Sequence, residues 1–408
     1  MSNMIEILPI KELSGKVEAP PSKSYTHRAL FLALLSEGKT KIENPLVCTD
    51  TIATLNAVKD FGAKGNWEFV ESDGKIKPAL IDAIESGTTA RISIAISALA
   101  NGESIIDGRE SLRKRPMKPL LRALGDLGIR TESGGTLPVK VFGEKIKKNY
   151  VKIKGSISSQ FITALLLLGA KVGLTIEVLD EIVSKPYLNM TLKALKWANV
   201  KVEKESSVFH VYEGIKGKSF SIPGDYSSAS FFLAAGAIFG KVRVENLDRD
   251  DVQADKAIVK LLREFGANAK VRKNYVEVEK NELVGQEIDC KDFPDLFPIL
   301  AVLGVYSKGK TVLKAKHLRY KESDRIRNMT LNLAKMGAKV KELNDGLLIE
   351  GGKLKGAILD PQGDHRVAMA LTIAALGAKG KSTILNERCV EKSYPSFFGD
   401  LTSLEALK

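Results

Sequence analysis

One pattern recurs six times along the chain and restricts what it can fold into: a polar helix start, an apolar helix body rich in small residues, a glycine, then a strand. The copies open at Ser22-Lys23-Ser24, Thr88-Thr89-Ala90-Arg91, Ser158-Ser159-Gln160, Ser227-Ser228-Ala229-Ser230, Asp295-Leu296-Phe297 and Asp364-His365-Arg366. Their bodies end near Gly38, Gly102, Gly173, Gly240, Gly309 and Gly380. Successive glycines lie about 64 to 71 residues apart, so six units of about 68 residues account for all 408. A chain with such a period is an array of one supersecondary unit, and no copy can bury its apolar face alone.

A second helix recurs inside each unit, read over 55–64, 120–130, 192–202, 258–270 and 331–340, with 401–407 as a truncated last copy. Apolar residues at i, i+3, i+4 and i+7 give each one buried face, and a glycine near each end suits a left-handed cap. Short strands follow at 139–142, 208–211, 275–278 and 347–349. Each unit therefore reads roughly β-α-β-α-β-β. First helices such as 161–170 and 231–239 are apolar all round, which makes them internal. The fold expected is α/β (α+β), with two similar domains of three βαβαββ units around central buried helices. The length also exceeds the roughly 250–300 residues at which a single core stops growing. The break falls near Ser221-Ile222-Pro223-Gly224. A strand over 5–10 is expected to cross back and complete the second domain, giving domains of 21–223 and of 1–20 plus 224–408. Two connections, near 19–21 and 223–224, would then join them, and such a pair can hinge as ligands draw the domains closed.

The chain is basic, with a formal net charge of +13. A basic surface attracts nucleic acid, acidic lipid or small phosphorylated molecules. The lysines are spread, runs such as 145–148 are short, and aromatics are only 6%, which leaves few stacking platforms for single strands. Cys48, Cys290 and Cys389 are far apart and form neither a metal spacing nor a disulfide framework, as suits a reducing compartment. The longest apolar run, 161–170, is too short to span a bilayer, and residues 1–8 lack a signal pattern. A soluble cytoplasmic protein is expected, a monomer with neither membrane nor nucleic acid as partner.

The helix bodies are alike, but their openings differ. Capping accounts for Ser227 and Asp364. It does not account for Lys23, Arg28, Arg91 and Arg366, because a cation near a helix N-terminus opposes the dipole. Cations belong there when an anion sits between them and the unpaired N–H groups. Arg319-Tyr320-Lys321-Glu322-Ser323-Asp324-Arg325 and Leu112-Arg113-Lys114-Arg115-Pro116 add further charge.

At these positions the chain resembles the 5-enolpyruvylshikimate-3-phosphate (EPSP) synthases, of the enolpyruvyl transferase family. The matching motifs, in order, are Pro21-Ser22-Lys23-Ser24 with Arg28, Gly87-Thr88 with Arg91, Arg115-Pro116, Ser158-Ser159-Gln160-Phe161, Ser184-Lys185-Pro186-Tyr187, Asp225 with Ser227–Ser230, Lys321-Glu322-Ser323-Asp324-Arg325, Asp364-His365-Arg366 and Lys392. They span nearly the whole chain. The resemblance implies transfer of the enolpyruvyl group of phosphoenolpyruvate to the 5-hydroxyl of shikimate 3-phosphate, with release of phosphate through a tetrahedral intermediate, in aromatic amino-acid (chorismate) biosynthesis. It implies no metal and no organic cofactor. By the same resemblance Lys23, Ser24, Arg28, Ser158, Ser159, Gln160, Ser184, Asp295 and Lys321 bind shikimate 3-phosphate, mainly in the N-terminal domain. Lys23, Gly87, Arg115, Gln160, Arg325, Arg366 and Lys392 bind phosphoenolpyruvate. Asp295 is the implied base, and Glu322 the implied proton donor, with Lys23 and Lys392 as other candidates. Seven of these residues are cations and two are carboxylates, a surplus of five, against roughly five to six negative charges on the two substrates.

Three positions depart from the family pattern: Glu85 where Asn is usual, Ile92 where Pro is frequent, and His317 where Asn is common. A carboxylate at position 85 should repel an anion unless it turns away or is neutral. The sister transferase acting on UDP-N-acetylglucosamine is the nearest alternative, but 108–116 lacks that enzyme's reactive cysteine. The histidine context of RNA 3′-phosphate cyclases is not recognisable. A non-enzymatic nucleic-acid binder would need a basic stripe with aromatics, which the sequence does not supply.

Overall fold

In the computed structural model, which describes residues 3–407, the chain divides into two compact units. One is formed by Pro21–Pro223, the other by Met1–Pro20 with Gly224–Lys408. Each is built on three helices that have no polar side. In the first unit these are Lys23–Leu35, Gly87–Ile96 and Ser159–Val172; in the second, Tyr226–Phe239, Phe297–Val305 and His365–Leu376. Every residue of Tyr226–Phe239, Phe297–Val305 and His365–Leu376 is buried. Full burial of a Leu, Ile or Phe stabilises by about 1.5–3 kcal/mol, so these helices hold each unit together.

The second helix of each repeat lies outside, with one buried stripe. Ala257–Phe265 buries Ile258, Val259, Leu261, Leu262 and Phe265. These outer helices begin and end earlier than the periodicity suggests, at Thr49–Asp60, Lys118–Asp126, Pro186–Trp197, Ala257–Phe265, Arg325–Lys335 and Phe397–Ser403. The apolar pattern runs on through the turn into the next strand, so helix and strand merge in the sequence. The last segment splits in the same way, with a strand at Glu405–Leu407.

Four of the six sheets among the described residues share a four-stranded plan; one of the others has three strands and one has five. In the third repeat Tyr150–Ile153 runs parallel to Leu174–Val178, which pairs antiparallel with Val208–Val211, and that strand with Val202–Glu205. The first and fourth repeats exchange their opening strands. Glu12–Glu18, just before the first central helix, lies parallel to Gly240–Glu245 of the fourth repeat, in register Leu13↔Gly240 through Glu18↔Glu245. Ser219–Ser221, just before the fourth central helix, lies parallel to Glu37–Glu43 of the first. At the connections the Ser22 amide donates to the Pro223 carbonyl, and the Asp225 amide to the Pro20 carbonyl, each at 2.8 Å.

The N-terminal segment corrects the expectation of a single strand over 5–10. Met4–Ile7 pairs with Ser382–Leu385 and stops before Pro9, and Glu12–Glu18 is a separate strand. One cap is also corrected. Asp225, not Ser227, caps the fourth helix, accepting from the Ser228 amide at 3.1 Å. The fifth helix starts at Phe297 after Leu296, so Asp295 stands outside it. Asp364 does cap the sixth.

A Cβ at Gly240 would lie 2.2 Å from the Leu13 carbonyl oxygen on the exchanged strand. Gly240→Ala is therefore expected to lower the melting temperature by several degrees in calorimetry. Gly125→Ala is the control: it has open space at Cβ and should be neutral or stabilising by up to about 1 kcal/mol. Equal melting of the two variants would refute the close packing of the exchanged strand.

Candidate active site

In the Pro21–Pro223 unit the polar starts of the three central helices carry the residues singled out in the sequence. Ser22 caps the first helix in extended backbone, and Lys23 Nζ, at the next position, pairs with Asp50 Oδ2 at 2.8 Å. Both side chains are largely buried, at 14% and 11% exposure. Asp50 lies in the first turn of the outer helix Thr49–Asp60. Below this pair a buried hydrogen-bonded chain crosses to the second helix. His27 Nδ1 meets Thr54 Oγ1 at 2.6 Å, Thr54 Oγ1 meets Thr89 Oγ1 at 2.6 Å, and Thr89 donates to Ser86 Oγ at 2.7 Å. Burial, with Lys23 and Arg28 adding, holds the His27 imidazole well below its ordinary value, so it is neutral.

The second and third helix starts meet around Gly87. A Cβ there would lie 2.9 Å from Arg115 Nη1, 3.1 Å from Arg91 Nη1 and 3.5 Å from Gln160 Oε1. Two guanidinium groups and an amide thus converge on one backbone position where a side chain would intrude. Arg91 donates to Gln160 Oε1 and sits 5.0 Å over the Phe161 ring. Gln160 Nε2 donates to Thr88 Oγ1 at 3.1 Å, and Ser158 Oγ accepts from the Gln160 amide at 3.3 Å. Ser159 is buried beside them. Glu85 is turned to Ser111, whose hydroxyl donates to it at 2.7 Å.

Arg28 is buried and occupied. Its guanidinium donates to Thr191 Oγ1 at 3.0 Å, to the Ser24 carbonyl at 2.8 Å and to the Tyr187 carbonyl at 3.1 Å. This ties the first helix to the segment that holds Ser184, which is buried in the left-handed region at φ 55°, a conformation uncommon for a residue with a Cβ. Burial pulls Arg28 down to about 10, which leaves it a cation at neutral pH.

In the second unit the site residues gather on Arg325, which is 1% exposed. Its guanidinium donates to Asp364 Oδ2 at 2.9 Å, Asp295 Oδ1 at 2.7 Å, Glu322 Oε2 at 2.8 Å and the Pro294 carbonyl at 3.3 Å. Asp295 Oδ2 also faces Arg366 Nη2 at 3.5 Å. Burial alone would raise the Asp295 carboxyl; Arg325, Arg366 and Lys321 together outweigh it and hold the group well below the usual carboxylate range. Asp364 serves two ends: Oδ1 caps the sixth helix through the Arg366 amide at 3.0 Å, and Oδ2 receives Arg325. Lys392 Nζ donates to the Gly363 carbonyl at 2.7 Å, beside that helix start.

One spacing underlies these meetings. A residue at a central helix start meets one that comes just before or within the repeat's outer helix: Lys23 with Asp50 and Ser227 with Asp255, 27 and 28 positions apart, and Gly363 with Lys392, 29 apart. Gly87 with Arg115 follows the same rule. In the fourth repeat the pair is a serine hydroxyl on a buried carboxylate, and no cation stands in it. The sequence reading did not pair Asp50 with Lys23 and gave Arg91 no ligand; Asp50 carries no motif, and only the 27-residue spacing marks it. Among the described residues no group of three or more His, Cys, Asp or Glu side chains is placed to hold a metal ion.

His317 lies in this second cluster. Burial, reinforced by Lys321 and Arg325, pushes it down to about 3. A histidine depressed in this way contributes stability that is intact above its unfolded value near 6.5 and is lost as pH falls towards about 3. Its imidazole should therefore stay neutral from pH 8 to about 5 in a nuclear magnetic resonance titration; a midpoint near 6.5 would contradict the burial and the cations around it.

Residues 7–401 match the family EPSP synthase (3-phosphoshikimate 1-carboxyvinyltransferase). The 3-phosphoshikimate 1-carboxyvinyltransferase of Thermococcus kodakarensis is 52% identical over 398 residues, 98% of this chain and 99% of that one. Its counterpart from Methanocaldococcus jannaschii is 43% identical over 413 residues, 97% and 96% of the two chains. The solved EPSP synthase of Acinetobacter baumannii aligns with a TM-score of 0.79 at 26% identity, over 99% of this chain and 100% of that one. The enolpyruvyl transferase NikO of Streptomyces tendae shares the fold, with a TM-score of 0.80 at 18% identity over 100% and 98%. On its matched length and on the identity of these relatives, the chain belongs to the EPSP synthase family.

Proposed function

We propose that the chain transfers the enolpyruvyl group of phosphoenolpyruvate to the 5-hydroxyl of shikimate 3-phosphate and releases phosphate. The observation that carries the assignment of residues is the convergence of Arg91, Arg115 and Gln160 on Gly87, together with the carboxylate–guanidinium cluster on Arg325. The first is a preformed anion cradle. The second holds two carboxylates suited to moving protons.

Phosphoenolpyruvate is held by Lys23, Gly87, Arg115, Gln160, Arg325, Arg366 and Lys392. Shikimate 3-phosphate is held by Lys23, Ser24, Arg28, Ser158, Ser159, Gln160, Ser184, Asp295 and Lys321. In the addition step the 5-hydroxyl oxygen bonds to the central carbon of phosphoenolpyruvate while the methylene carbon gains a proton. Asp295 takes the hydroxyl proton, and Glu322 supplies the other. In the elimination step the methyl carbon returns a proton to Glu322, the bond between that central carbon and the phosphate oxygen breaks, and the leaving phosphate takes the proton held by Asp295, so atoms and charge balance.

The cations around Asp295 keep it ionised, the form that can accept a proton, but they also weaken it as a base. Substrate anions on Arg366 and Lys321 offset those cations and strengthen Asp295 at the moment both ligands are bound. Proton removal is thereby tied to a full site.

Release of phosphate in the presence of both substrates, with UDP-N-acetylglucosamine as a competing acceptor, tests the reaction. No release with shikimate 3-phosphate, or release with the nucleotide sugar, would overturn it. Asp295→Asn is expected to lower kcat by about 10²- to 10⁴-fold with a small change in shikimate 3-phosphate affinity; unchanged turnover removes it as the base. Arg115→Ala is expected to raise the KM for phosphoenolpyruvate by about 10- to 100-fold, the size of a lost hydrogen bond to a charged group. An equal rise for both substrates would make Arg115 a structural residue.

A further inference from the structure

Lys321 and Glu322 sit in a short segment between a 3₁₀ turn at Lys316–Tyr320 and the helix Arg325–Lys335. A segment of that kind is ordinarily mobile. Here its two ends are closed on each other by one side chain. Arg319 Nη1 donates to Asp324 Oδ2 at 2.8 Å, five residues on, and to Glu342 Oε1 at 2.8 Å. Its Nη2 donates to the Leu343 carbonyl at 2.8 Å, and its Nε to the Asn344 carbonyl at 3.3 Å. Asp324 is itself fixed, because its other oxygen accepts the Arg327 amide at 3.1 Å and caps the helix that Arg325 begins. One planar fork thus joins the start of the segment, its end, and the hairpin of Lys339–Leu343 and Gly346–Glu350. Four residues, Tyr320 to Ser323, lie between Arg319 and Asp324, and Ser323 donates to Asp364 at 3.1 Å.

We propose that Arg319 is a positioning residue for the transfer reaction: it fixes the segment bearing Lys321 and Glu322, and so sets where both stand relative to Arg325. The proposal rests on the roles given to Lys321 and Glu322 above. A lysine could not replace the fork, because a point charge cannot reach two carboxylates and two carbonyls in one plane. In the second repeat Arg113, two residues before Arg115 as Arg319 is two before Lys321, also pairs with a carboxylate, donating through Nε to Asp107 Oδ1 at 2.9 Å. Misplacing a reacting group by about 1 Å can cost about 100-fold in rate, far more than a partly exposed ion pair of this kind contributes to folding.

The test compares Arg319→Met, Arg319→Lys and Glu342→Gln with the parent enzyme, with Glu322→Gln as reference, measuring kcat, both KM values and melting temperature. Arg319→Met should lower kcat by about tenfold or more and raise the KM for shikimate 3-phosphate several-fold, with the KM for phosphoenolpyruvate within about twofold. Arg319→Lys should recover only part of the loss. Combined with Glu322→Gln, the two losses should multiply to less than their product, because both act on one group. A folded Arg319→Met enzyme with parental kcat and KM values overturns the proposal, as do losses that multiply in full. If Arg319→Met does not fold, Glu342→Gln removes one arm of the fork and is read by the same criteria. Parental kcat in Glu322→Gln would overturn the role of Glu322 itself, a failure distinct from that of Arg319.

Discussion

A helix buried on every side can present chemistry only at its ends. Six such helices fix the character of this molecule. Their bodies must be apolar and small, because each is packed against two others and a sheet. Their N-termini cannot be apolar, because the first turn of each leaves backbone N–H groups that need partners. Water, a capping side chain or a ligand must satisfy them. In this protein the capping side chains are Ser86, Ser158, Asp225 and Asp364, Ser22 stands at the cap position of the first helix without a side-chain bond to it, and the cations stand one or a few residues beyond. The core and the site are therefore two consequences of one packing problem.

The two units solve the electrostatic part differently. In the Pro21–Pro223 unit, cations outnumber carboxylates at the helix starts, and Arg91 and Arg115 converge on the Gly87 backbone. In the other unit the central cation, Arg325, is already held by three carboxylates. Taking an ion pair out of water costs several kcal/mol per ion, and attraction repays this only when geometry and hydrogen bonding are complete. Arg325 meets that condition with donors to three acids and a carbonyl. Removing it would leave three acids facing one another, which gives the guanidinium a structural duty as well as any role towards a ligand.

Much of this was legible in the sequence, and what was hidden has physical causes. The central helices and their polar openings stood out because apolar periodicity and a polar break are both local signals. Outer helix bounds did not, since the apolar pattern continues through the glycine turn into the following strand. Glu12–Glu18 was missed because its buried residues, Leu13 and Val17, are separated by Gly15 and its sheet partner is more than 200 residues away. The Asp295 carboxylate is drawn to Arg325, an ion pair across 30 positions that no local pattern encodes. Asp50 was silent for the same reason, and Arg319 stood out only as part of a charged stretch, its bond to Glu342 being unmarked. Their partners lie in other elements, and the resemblance to a family marks residues that touch ligands more readily than those that hold them.

The exchange of opening strands has a consequence for synthesis of the chain. The Pro21–Pro223 unit is complete in one contiguous stretch, and all its strand partners have left the ribosome once residue 223 has. The other unit is not. Its first strands emerge before anything else, yet Leu13 must wait for Gly240, and Met4 for Leu385. Loop-closure entropy makes such late contacts slow. The chain therefore folds in order: a finished middle, then a second body that closes around its own beginning. Any attempt to divide the protein into two expressible halves has to supply the first 20 residues together with the last 185, not with the segment they precede.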